Sequence, residues 1–236
     1  MRTSRSLLAA ALVFIAACKK APPTSDEVLA QAKPVLEPKV AAMEKIGRAP
    51  LPRATNKITL AGPPIRAISG GTTLEPSANA TLLFDRDLKD EYLSYARVDL
   101  RTAGTMMLGN DCVAMVRRHT KAGIHDATYD RDPMWQDEVQ TTDAIRACSQ
   151  LRYLIVVRLL DYDASAYIDK KTFKGGSVRG EALVFDLDTG GTFAGGVPFV
   201  AESSAFTKAS HDSDLATNFY RAMETAVTKV LPDAKL

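Results

Sequence analysis

Histidine, cysteine and tryptophan are scarce in this chain: 3, 3 and 1 among 236 residues. No H-E-x-x-H run and no paired-cysteine spacing occurs, so a zinc centre of the usual kind is not indicated. His119, His125, Asp126, Asp130 and Asp132 lie close together in sequence, but without such spacing they read as a charged, solvated loop, and no metal or other cofactor is expected. No apolar run approaches the ~20 residues a membrane-spanning helix requires. Charge of one sign is also missing. Lys and Arg total 30 against 28 Asp and Glu, a net +2, which leaves no basic field for nucleic acid. Ser177, in "GGSVRG", is not in a G-x-S-x-G elbow, and the glycines from Gly175 to Gly180 lack the G-K-[ST] ending of a phosphate loop.

The apolar content, 46 % of residues, is ordinary and sufficient for a sizeable core. One concentration of it stands at the start. Arg2 and Arg5 precede an apolar stretch from Leu7 to Ala17, which closes with Ile15-Ala16-Ala17-Cys18 and is followed by Lys19 and Lys20. The positive start and short apolar core match a secretory signal. The ending resembles the lipobox of bacterial lipoproteins. That resemblance implies cleavage before Cys18, acylation of its sulfur and of the new amino terminus (palmitate among the chains), and an outer-membrane location on the periplasmic face, because Lys19 stands where an aspartate would signal inner-membrane retention. A thiolate suits the acyl-transfer step. Two or three acyl chains anchor a protein where one binds only marginally, at about 0.8 kcal/mol per buried methylene. Lys19 and Lys20 would each add roughly 1 kcal/mol against anionic headgroups.

With Cys18 given to lipid, Cys112 and Cys148 remain. An even pair in an oxidising compartment reads as a disulfide, worth ~3–4 kcal/mol in the chain-entropy treatment for a loop of this size. The competing reading is a catalytic thiol, since Cys112 and His119 are spaced to share a helix face.

The organisation expected is a signal peptide over 1–17, a lipidated tether over 18–25, a broken helix and Pro/Gly-rich linker over 26–77, and a globular α+β domain over 78–236. Thr24 or Ser25 can cap a helix with Asp26 and Glu27 in its first turn. Pro34 and Pro38 should kink or break it before Gly47. Thr81–Phe84 is a possible strand. Thr105–Arg118 reads as a helix. Met134–Cys148 reads as another, with Trp135, Val139, Ile145 and Cys148 inward. Strands follow at 151–160, 178–187 and 192–203, forming an antiparallel sheet of three or more strands. A helix near 213–231 then offers Leu215, Phe219, Ala222, Met223, Ala226 and Val230 as a cover. The layout faintly resembles the α/β periplasmic domains of outer-membrane assembly and activator lipoproteins, a likeness of arrangement that transfers no site.

The stretch "LVFDLDTGG" invites a catalytic reading. Asp186-Leu187-Asp188-Thr189 after apolar residues resembles the first motif of haloacid-dehalogenase-type phosphatases. There one aspartate attacks phosphorus and the next handles a proton. That family needs a helix after the turn and further acidic residues for Mg²⁺, whereas a strand is expected here. Asp188-Thr189-Gly190 also matches the aspartic-protease triplet, which needs a second carboxylate from another lobe or subunit. As a calcium loop the pattern fails at its twelfth position, Val197. A hairpin turn with glycine at positive φ is the simplest account. Two functions therefore stand as expectations: a membrane-anchored, non-enzymatic binding or scaffold module engaging another envelope protein, and a periplasmic hydrolase using Asp186 and Asp188.

Overall fold

The run from Tyr153 to Val157 alternates between two buried surfaces, and the structure shows why both are apolar. It was obtained as a computed structural model and describes residues 22–67, 78–85, 88, 138–163, 166–167, 173–203 and 211–236. Strand β3 (Tyr153–Asp163) lies inside a five-stranded sheet. The others are β1 (Lys57–Ile58), β2 (Ala80–Phe84), β6 (Ser177–Asp186) and β7 (Thr192–Glu202), in the spatial order β1-β7-β6-β3-β2. A separate two-stranded ribbon, β4 (Ala166–Tyr167) with β5 (Phe173–Lys174), extends the β3–β6 hairpin.

The sheet is mixed, which corrects the expectation of purely antiparallel pairing. β3–β6, β6–β7 and β1–β7 are antiparallel, but β2 runs parallel to β3, with Ala80 opposite Tyr153 and Phe84 opposite Val157. The direction of β2 depends on the path of the intervening chain, and strand composition carries no mark of it. The three expected strands are present with ends shifted by up to three residues.

Side chains alternate across the sheet. Tyr153, Ile155 and Val157 with Ala182, Val184, Val197 and Phe199 form one core under helix α3 (His211–Val230). Leu215, Phe219, Met223 and Val227 of α3 are buried there, and the Phe199 and Phe219 rings meet edge to face at 5.2 Å. Ala222, Ala226 and Val230 flank that line.

Leu154, Val156, Leu183 and Phe185 face the opposite way, under α1 (Ser25–Arg48) and α2 (Glu138–Ser149). Thr24 caps α1 in a reciprocal box: its hydroxyl accepts from Glu27 N at 3.3 Å, and Glu27 Oε2 accepts from Thr24 N at 3.0 Å. The helix runs unbroken through Pro34 and Pro38, so of the expected kink or break it is the break that does not occur. Both prolines are four residues apart on the exposed side. The carbonyls they leave without amide partners therefore face water, while Leu36, Val40, Met43 and Ile46 pack inward. Ile145 and Cys148 of α2 are buried as expected.

The segment after α1 also packs against the sheet, as α1 itself does. Ile58, Ile65 and Ala67 belong to the α3-side core and Leu51 and Ala54 border the other. β1 runs along β7 at Gly195–Gly196. Gly195 has φ 128°, and a Cβ there would stand 2.0 Å from the Lys57 carbonyl, so only glycine admits that strand. The C-terminal residues lie at the opposite, β2 edge, where residues 65–67 bridge both to them and to Ala80: Ala67 N donates to Lys235 O at 2.8 Å and Lys235 N to Ile65 O at 3.0 Å. No described helix is long and apolar enough to cross a membrane.

Candidate functional site

Asp186 ends β6, and the next three residues form a 3-10 turn, Leu187–Thr189. Asp186 caps that turn: its Oδ1 accepts from Asp188 N at 3.1 Å, and its backbone carbonyl accepts from Thr189 Oγ1 at 3.1 Å and Gly191 N at 3.0 Å. Gly190 and Gly191 take φ of 74° and 78°, the positive values the glycine pair predicts. The connection is thus a turn as expected, built on a single helical turn with Asp186 as its cap.

Arg152 meets this corner from the start of β3. Its Nε and Nη2 both donate to Asp186 Oδ2, at 3.2 and 3.0 Å, and its backbone carbonyl accepts from Leu187 N at 2.7 Å. The guanidinium lies 5.5 Å from the Tyr153 ring centroid and against Gly62, where a Cβ would come within 2.2 Å of Cζ. Hydrogen bonding to Asp186 raises the Arg152 pKa, and burial raises that of Tyr153, whose hydroxyl donates to Pro63 O at 3.0 Å.

Lys39 reaches the same corner from α1. It is buried to 6 % exposure; its ammonium donates to Ser149 O at 3.0 Å and to Leu151 O, and it pairs with Asp188 Oδ1 at 3.2 Å. Arg152 Nε stands 4.0 Å from Asp188 Oδ2. Four side chains therefore join three places that are remote in sequence: α1, the α2–β3 corner and the β6–β7 corner. The stem of Lys39 lies in the apolar layer while its head takes up carbonyls at the end of α2, the site that favours a cation.

This geometry bears on the catalytic reading. A carboxylate that attacks phosphorus needs an oxygen open to the substrate and a cation beside it. Asp186 is 4 % exposed, and both its oxygens accept hydrogen bonds from the protein. The Asp188 side chain is 43 % exposed and sits between Lys39 and Arg152. Among the described residues no group of three or more His, Cys, Asp or Glu could hold a metal. β7 begins at Thr192, directly after the Gly190-Gly191 pair, with Val197 buried in that strand. As arranged, the cluster is an electrostatic clasp.

A second buried pair was not singled out from the sequence. Arg158 in β3 faces Glu181 in β6 across the sheet. Its Nε donates to Glu181 Oε2 at 2.9 Å, and its Nη2 donates to the same oxygen. Its Nη1 donates to Leu51 O at 3.1 Å and its Nη2 also to Pro52 O at 2.8 Å, and Glu181 Oε1 accepts from Ala54 N at 3.2 Å. The proline-containing strap after α1 is thereby fastened to the sheet. The available signal was a charge set in an apolar run of each strand, Arg158 in "VVRLL" and Glu181 in "GEALV". Lys39 gave a similar signal, a charge on the apolar stripe of α1.

Cys148 stands at 1 % exposure near the end of α2. Its expected partner Cys112 lies outside the described residues, as do Cys18 with the whole lipobox, His119, His125, Asp126, Asp130, Asp132, Trp135 and the helix expected at 105–118. Ser177 opens β6 in backbone register with Asp163 and Glu202. No family profile, curated protein or solved structure matches the chain.

Proposed function

We propose that this protein is a lipid-anchored, non-enzymatic binding module of the bacterial cell envelope, held by Cys18 at the periplasmic face of the outer membrane and engaging another envelope protein. The lipobox-like Ile15-Ala16-Ala17-Cys18 supports the anchor. The observation that carries the non-enzymatic part is the engagement of both carboxylates of "DLDT" by Arg152 and Lys39. Partner engagement by loops or a sheet face fits the described geometry better than strand addition at β7. There the outward-facing alternation places Pro198 after the Ala194 and Gly196 carbonyls that accept from Thr59 and Thr55, so the edge lacks an amide donor at that position. Asn218 of α3 occupies the Glu202 carbonyl at 2.8 Å.

The disulfide between Cys112 and Cys148 belongs to the same proposal, since an oxidising compartment is what sustains it. The test is metabolic labelling with an alkyne palmitate in a Gram-negative host, with membrane fractionation. The native chain should carry label and sediment with outer membrane, and Cys18→Ala should lose both. An unlabelled native chain in the aqueous fraction would overturn the anchor. Activity is tested separately: hydrolysis of a generic phosphomonoester by the purified domain, abolished in a folded Asp188→Asn variant, would establish the hydrolase instead.

A further inference from the structure

We draw no further inference here: the strongest candidate, the bare distal half of the α1-side sheet face where Leu160 and Val200 stand 58 % and 57 % exposed beside the Arg179–Asp161 ion pair, carries no proposal because nothing in the structure shows what covers it.

Discussion

Arg158 and Glu181 illustrate how a buried pair acts on more than its own strands. Charges taken out of water regain their lost hydration only when every donor and acceptor is met. Here the strap carbonyls of Leu51 and Pro52 accept from Arg158, and Ala54 N donates to the carboxylate oxygen that Arg158 leaves open. Arg158→Ala should therefore cost about 3–5 kcal/mol, the range for stranding a buried partner charge. The double variant Arg158→Met/Glu181→Leu should recover much of that loss. Urea unfolding of the three proteins checks both expectations, and a single-variant loss below about 1 kcal/mol would mean the pair is solvated.

Tyr153 gives a pH dependence. Burial raises its folded pKa above the ordinary value, so the folded state holds the phenolic proton longer than the unfolded chain does. Its stabilising share is intact below the unfolded pKa, about 10, and is lost as pH rises from there through the folded value. Melting temperature followed from pH 8 to 11 should fall at the alkaline end. Tyr153→Phe should flatten that fall while costing about 1 kcal/mol at neutral pH for the hydrogen bond to Pro63.

Among the elements, α1 departs furthest from what local propensity dictates. Two interior prolines would end most helices, yet its inward face supplies Leu36, Val40, Met43 and Ile46 to the core and its cap is fully formed. Burial at roughly 1.5–3 kcal/mol per large apolar side chain outweighs two missing amide bonds when the affected carbonyls face solvent. Because the prolines are exposed, restoring the amides disturbs no packing. Pro34→Ala with Pro38→Ala should raise the stability of the whole domain by on the order of 1–3 kcal/mol, read by calorimetry. A drop would show that the prolines set a bend the packing requires. The break was expected from the two prolines alone. The turn at 187–191 was legible because Asp, Thr and Gly each favour it locally, and α3 because its stripe is continuous.

At the scale of the molecule, a sheet covered on both faces by helices joins residues from Val28 to Ala234 into two core layers. The clasp of Lys39, Arg152, Asp186 and Asp188 ties the first helix to two corners of that sheet. The proposed disulfide adds a covalent tie at the end of α2, next to the carbonyls that receive Lys39. Unfolding the unreduced domain and titrating with a thiol reagent should find almost no free sulfhydryl. Two free thiols per chain would remove the disulfide and reopen the reading of Cys112 with His119. Replacing Cys148 with serine should then lower stability by roughly 2–5 kcal/mol, the usual loss for a native disulfide.

What the amino-acid order determined by itself were the features with a short physical range. These are the three β-branched strands, the glycine turn, the cap of the first helix and the amphipathic last helix, each set by neighbours within a few residues. Tertiary structure alone decided the parallel docking of β2, the recruitment of residues 49–67 into the core and the use of Asp186 and Asp188 as partners of Arg152 and Lys39. Those outcomes depend on groups 34 to 149 positions apart in the chain meeting across a packed sheet. A buried charge must find its counter-charge wherever the fold brings one, and sequence spacing does not record that meeting.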